Sequence, residues 1–323
     1  MEVTNHLKIE LLKTMLRIRL FEMAVSECNQ RADIVGACHI YVGEEAVAAG
    51  VCAALKPEDY ITSTHRGHGH CIAKGADLKR LMAELWARET GYCRGRGGSM
   101  HIYIKELNVL GTNGIFGGGL PLSVGAALHA KMSKSRQVCA CFFGDGAANN
   151  ATFHESINLA AVQNLPVIFV CENNLYATVT AVHEATKTRN FADRAAAYVI
   201  PGVVVDGNDV LDVLEKTDKA VTRARNDEGP TLVECKTYRR FGHYVGEPDK
   251  TYRSQEEKDE WRKKDPIEMF CKHLETNGII NTEGIKAIEK EAETEVGEAV
   301  EFAKNSPLPN PDTVTHYVWS EEV

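Results

Sequence analysis

No run of 18 apolar residues occurs anywhere in the 323-residue sequence, so no membrane-spanning helix is expected. The opening "MEVTNHLKIELLKTMLRIRLFEMAV" also lacks the continuous apolar centre and small-residue cleavage site of a secretory leader. Basic charge is in short supply. Against 45 Asp and Glu stand 37 Lys and Arg, a net charge of -8 that argues against a nucleic-acid footprint, since binding a phosphate backbone wants a clustered excess of Lys and Arg. C-x-x-C pairs are missing as well. The ten cysteines stand at 28, 38, 52, 71, 93, 139, 141, 171, 235 and 271, several inside apolar runs such as "QVCACFF", so buried reduced thiols are expected in place of disulfides or a metal cluster. Internal repeats and low-complexity segments are absent. These absences point to an intracellular, cytoplasmic chain that handles small molecules or protein partners.

What is present is an ordinary globular composition, 44% hydrophobic and 25% charged, with length enough for a large core. Leu7, Leu11, Leu12, Met15, Leu16 and Ile18 recur three or four apart and predict a helix within the first 30 residues. "EEAVAAGVCAAL" predicts another, ended by Lys56-Pro57. Between 61 and 119 glycine crowds against histidine and arginine, a texture poor at building a core and suited to bringing backbone close to a ligand. From 137 onward the pattern turns regular. "QVCACFF", "LPVIFVCEN", "GVVVDG" and "PTLVECKTY" read as buried strands that alternate with the helical "FHESINLAAVQN" and "LDVLEKTDKAVTRAR". That alternation predicts an α/β fold, a parallel sheet with helices on both faces. Residues 239–254 read as a surface loop whose composition buries little, and 255–305 as charged helix.

The stretch "FFGDGAANN" leaves a predicted strand through Gly144-Asp145-Gly146, and "CENNLYAT" brings Asn173 and Asn174 to the end of the next. In an open parallel sheet, ligands bind where strands end. A carboxylate, an amide oxygen and main-chain carbonyls there suit Mg²⁺, which keeps phosphate and water as further partners. The glycines let backbone N–H groups face an anion. Each half alone has an ordinary reading, a turn and a strand-ending amide pair. Together, with residues 147–172 between them to form one helix and one returning strand, they make the thiamine diphosphate motif.

With "CHIYVGEEA" (38–46), "HRGHGH" (65–70), "GRGGSMHI" (95–102), "GTNGIFGGGLPLSVGAAL" (111–128), "IPGVVVDGND" (200–209) and "YRRFGHYVGEPDKTYR" (238–253), the sequence resembles the alpha chains of the thiamine-dependent first component of 2-oxo acid and acetoin dehydrogenase complexes. The resemblance covers almost the whole chain, and "HRGHGH", "ATFHES" and "FADRAAAY" lean toward acetoin dehydrogenase. It implies one thiamine diphosphate-binding unit over 1–323, with helical segments at 1–60 and 255–305. It implies Mg²⁺ held by Asp145, Asn174 and the Tyr176 carbonyl, and diphosphate by the backbone of Gly144, Gly146 and Ala147 with Arg66 and Arg239. His65 stands where pyruvate-type relatives often carry Tyr. Gly114 and Phe116 would face the aminopyrimidine, Leu122 would be the apolar wedge that bends the cofactor, and His39 and His243 would be the active-site histidines.

The resemblance also implies partners. The glutamate that activates the pyrimidine would come from a beta chain, with two alpha and two beta chains assembled, and a lipoyl-bearing acyltransferase would receive the product. The expected reaction is acetoin cleavage with acetyl transfer. Oxidative decarboxylation of pyruvate or a branched 2-oxo acid, or a non-catalytic cofactor-binding scaffold, remain alternatives. Tyr244 occupies the place of a phosphorylated serine in mitochondrial pyruvate-type relatives, which implies no kinase control through that position.

Overall fold

The computed structural model describes residues 2–317. Five parallel strands form the central sheet: β1 (Tyr60–Thr62), β2 (Cys139–Gly144), β3 (Val167–Asn173), β6 (Gly202–Asp206) and β7 (Thr231–Lys236), in the spatial order β1-β2-β3-β7-β6. A small antiparallel hairpin of β4 (Tyr176–Ala177) and β5 (Thr180–Ala181) follows β3. Eleven helices among the described residues complete the fold: α1 (Asn5–Gln30), α2 (Glu45–Ala53), α3 (His68–Ala73), α4 (Leu78–Leu85), α5 (Gly119–Ser133), α6 (Ala151–Val162), α7 (Val182–Ala185), α8 (Val210–Arg225), α9 (Gln255–Arg262), α10 (Pro266–Thr276) and α11 (Thr282–Asn305).

Strand side chains alternate between faces, and the core divides accordingly. Ala140, Phe142, Ile168, Val170 and Val233 pack with α1, α2, α3, α4 and α8, while Cys139, Cys141, Phe143, Phe169, Cys171 and Leu232 pack with α5, α6 and the 3-10 turn Phe191–Tyr198. Both faces are thus covered, as continuous apolar strands require. All ten cysteines are unpaired and eight are buried, in keeping with the reading of their positions.

Helix starts follow capping chemistry. Thr4 Oγ1 accepts from Leu7 N at 3.2 Å, Asp77 Oδ1 from Arg80 N at 2.9 Å and Asp209 Oδ1 from Leu211 N at 2.9 Å. Arg19 ties three helices together, pairing with Glu45 of α2 and with Asp265, the cap of α10, at 3.0 Å.

Two segments differ from expectation. Residues 61–119 contain core-building helices after all: Cys71, Ile72, Leu78, Leu81 and Met82 are buried. The 239–254 segment is pinned more tightly than its composition suggests. Arg253 is buried and donates to the carbonyls of Arg239 and Phe241, the latter at 2.6 Å, and to Asp249 Oδ2 at 2.7 Å.

Candidate active site

The register of β2 and β3 sets Gly144 opposite Glu172, so Asp145 and Asn173-Asn174 leave adjacent strands at the same level. Here the chain opens a pocket whose empty space, open solvent at its mouth included, is about 690 Å³. Its floor is Gly144, Asp145, Gly146, Ala147, Asn174 and Tyr176; Ser63, Thr64, His65, Arg66, Arg239 and His243 close the sides, and Ile115 and Phe116 stand at the rim.

Asp145 is 3% exposed. One carboxylate oxygen accepts the Gly146 N–H at 2.6 Å, and Oδ2 has no partner. Burial raises its pKa to about 6 against the opposing pull of that N–H and of Arg239 and Arg66. The neighbouring glycines leave room. A Cβ at Gly144 would project into open space within the pocket, whereas one at Gly146 would come 2.7 Å from Ala177 Cβ. Directly after Asn174 the backbone reverses through Leu175 at φ 74°, a left-handed conformation unfavourable for a branched residue and the kind of strain that collects at functional sites.

Two guanidiniums are buried beside the carboxylates. Arg66 donates to the carbonyl of Ile40 at 2.6 Å and of His243 at 3.0 Å, and lies 3.7 Å from Glu44. Arg239 donates to the carbonyls of Thr178 at 2.8 Å and Tyr176 at 3.4 Å and to the Tyr252 hydroxyl at 3.0 Å. Its Nη1 also lies 3.3 Å from His243 Nδ1. Together they bring positive charge to a site that carries several acids.

His39, His65 and His243 come from three separate stretches and meet with ring centroids 4.6, 4.8 and 5.2 Å apart, His39 standing edge to face with the other two and those two tilted to each other. Burial, helped by Arg66, lowers the pKa of His39 to about 3 and of His243 to about 4, and pushes His65 down as well. All three are neutral at pH 7. His39 stands behind the pocket wall, against His65 and His243. Gly114 and Leu122 lie outside the lining: Gly114 packs near His101, and Leu122 is 51% exposed on the first turns of α5.

Several pocket groups escape a sequence reading. Glu44, fully buried, accepts from Asn174 Nδ2 at 3.2 Å, and burial with Glu172 nearby raises its pKa despite Arg66. Glu172 faces the Tyr41 hydroxyl and lies 3.0 Å from His70 Nε2, whose other nitrogen is 2.8 Å from Ser63 Oγ. The one available signal for Glu172 was an acid inside an otherwise apolar strand. Glu44 carries no such mark, since it sits in a polar "GEEA" turn. His68 of the "HRGHGH" stretch is buried in α3, 2.9 Å from Glu22.

A family model described as dehydrogenase E1 component matches residues 13–312. The chain belongs to the dehydrogenase E1 component family. The alpha subunit of acetoin:2,6-dichlorophenolindophenol oxidoreductase from Bacillus subtilis (strain 168) is 48% identical over 310 residues, which span 96% of this chain and 92% of that protein. Its namesake from Cupriavidus necator is 45% identical, spanning 93% and 90%. The alpha subunit of the pyruvate dehydrogenase E1 component from Porphyra purpurea is 39% identical, spanning 99% and 94%. Membership implies thiamine diphosphate as cofactor and a beta subunit within a multienzyme complex.

The pocket fits that cofactor on its own chemistry. A buried carboxylate oxygen without a partner is costly unless a cation or donor satisfies it. The Gly144 cradle leaves backbone open, and two buried guanidiniums suit an anion. No helix of the described residues is long and apolar enough to cross a membrane.

Proposed function

We propose that this chain is the alpha subunit of a thiamine diphosphate-dependent dehydrogenase that, with its beta partner, cleaves acetoin and passes the acetyl unit to a lipoyl group on an acyltransferase. The observation that carries the substrate is the gradient of identity, 48% and 45% to the two acetoin oxidoreductase subunits against 39% to the pyruvate one. Ten unpaired cysteines support a reducing compartment such as the cytoplasm.

When bound, the cofactor supplies an electron sink for breaking the C–C bond beside a carbonyl. The side chains of Asp145 and Asn174 and the Tyr176 carbonyl would hold Mg²⁺, a hard cation that takes oxygen ligands. Gly144, Gly146 and Ala147 would present backbone to the diphosphate, and Arg66 and Arg239, with His65 beside them, would neutralise its charge. Gly114 and Phe116 would bound the pyrimidine side, with Leu122 as the apolar wedge. His39 and His243, neutral at pH 7 and shielded from water, would hold and return a proton as the substrate reacts. The activating glutamate would be the beta chain's, which makes the isolated chain inactive.

The test is turnover by the co-expressed alpha and beta chains with thiamine diphosphate, Mg²⁺ and a dye acceptor. Acetoin is expected to show a kcat/KM at least about tenfold above that of pyruvate or a branched 2-oxo acid, a gap of about 1.4 kcal/mol. The second reading, a 2-oxo acid as substrate, draws on 39% identity across 99% of the chain. A reversed preference would establish it. Partner and cofactor binding with no turnover of any of these would mark a scaffold.

A further inference from the structure

Beside the pocket lies a second set of donors with different chemistry. One nitrogen from each of His39, His65 and His243 falls within 4.8 Å of the other two. Nδ1 of His39 and both ring nitrogens of His65 are buried without any hydrogen-bond partner. Unpaired polar atoms in so dry a place are costly, and each neutral ring has one lone-pair nitrogen that an occupant could accept. Arg239 donates to His243 Nδ1 across 3.3 Å, which puts the neutral ring's proton on Nε2, so a metal would displace that contact and take the Nδ1 lone pair.

We propose that His39, His65 and His243 form a three-histidine site for a transition-metal dication of the zinc class, with its fourth position open to water or a small anion. Neutral imidazoles suit such ions and not Mg²⁺, which sets this site apart from the oxygen donors of Asp145 and Asn174. Tetrahedral Zn–N bonds of about 2.0–2.1 Å place ligand nitrogens about 3.4 Å apart, so separations of up to 4.8 Å must close by as much as about 1.4 Å. The charges facing the cluster are mixed. Arg66 and Arg239 oppose a bare dication, while Glu44 beside Arg66 and Glu247, which accepts the His243 N–H, offset them. An anion in the fourth position would complete the balance. Capture would immobilise His65 and His243 in the pocket wall, so the ion would act as an inhibitor. The binding itself needs only three imidazoles and holds whichever substrate the enzyme uses.

The experiment is titration of the metal-free full chain with Co²⁺, read by visible absorption. The expected result is the intense band of a tetrahedral nitrogen-ligated ion, displaced by one equivalent of Zn²⁺. His39→Ala and His65→Asn should each weaken binding by about tenfold or more, while Asp145→Ala keeps the band. A band that survives both histidine variants, or disappears only in Asp145→Ala, would overturn the site. Should the variants fail to fold, X-ray absorption of the zinc-loaded wild-type chain decides. Three nitrogen neighbours at about 2.0 Å are expected, and a shell of oxygens alone refutes the proposal.

Discussion

Asp145 shows how a single residue can be legible from sequence and still owe its force to the fold. The glycines around it and its place after an apolar run announce a turn at a strand end. Only the structure reveals that one of its oxygens is buried and unpaired. Asp145→Asn keeps the shape and removes the charge. In the reconstituted pair, calorimetry should find thiamine diphosphate binding in Mg²⁺ weakened by more than about 100-fold, since even outer-shell changes at metal sites cost about 10- to 100-fold. Unchanged affinity would remove this residue from the site. His39 makes a prediction about pH. Its pKa is lowered in the folded chain to about 3, from 6.5, chiefly by burial. Unfolding therefore takes up a proton between those limits, so the stability that neutral His39 confers is full above pH 6.5 and falls as pH drops toward 3. Between pH 7 and 5, the metal-free wild type should lose at most about 2 kcal/mol more than His39→Asn in urea unfolding, a ceiling that solvent screening lowers. Equal losses would mean that His39 titrates normally. Glu44 was invisible in the sequence because nothing about a polar turn says that it will be folded inward against Asn174.

At the scale of elements, hydrophobic period worked where the pattern was long and failed where glycine and histidine interrupted it. The strands β2, β3 and β7 and the helix α1 carry their burial in an unbroken pattern, which the sequence displays, whereas "GVVVDG", expected as a buried strand, is the edge strand β6 and buries only Val205. β1 is three residues long, and α3 begins with His-Gly-His, so local signals there favour a loop; long-range packing decides otherwise. Glu84, at the buried end of α4, explains how the glycine-rich stretch beyond is held. Its two oxygens accept N–H groups from Cys93 and Gly95 at 2.7 and 2.9 Å and from Gly97 and Gly98 at 2.7 and 3.2 Å. The carboxylate satisfies four backbone donors that have no helix or strand to serve them. Glu84→Gln replaces one accepting oxygen with a donating amide and turns two of those contacts into donor against donor. A loss of about 1–3 kcal/mol is expected in denaturant unfolding, with faster hydrogen exchange confined to residues 93–98. Exchange that is unchanged in that segment would show that the loop is held by other contacts.

For the whole molecule, the sequence supplied the layered α/β plan, whereas what surrounds the pocket depends on surfaces that no periodicity encodes. Ile115 is 73% exposed and Phe116 50%, and both line the mouth. Leu122 on α5, Val179 beside Thr178, and Phe241 and Tyr244 around His243 are exposed as well. Large apolar side chains left exposed on the segments around a pocket suit a surface that another protein covers. Family membership implies a beta subunit as partner, and the rim is the candidate surface for it. A charge placed in the rim should then act on assembly before it acts on the fold, because the side chain projects into water in the isolated chain. Ile115→Asp is expected to leave the thermal unfolding of the alpha chain within about 0.5 kcal/mol of wild type. Its association with the beta chain, followed by analytical ultracentrifugation, should weaken by at least tenfold, or about 1.4 kcal/mol. Both readings are needed: weaker assembly with an intact alpha chain places the rim in the interface, whereas wild-type assembly would mean that the beta subunit docks elsewhere and that the pocket mouth opens to solvent in the complex.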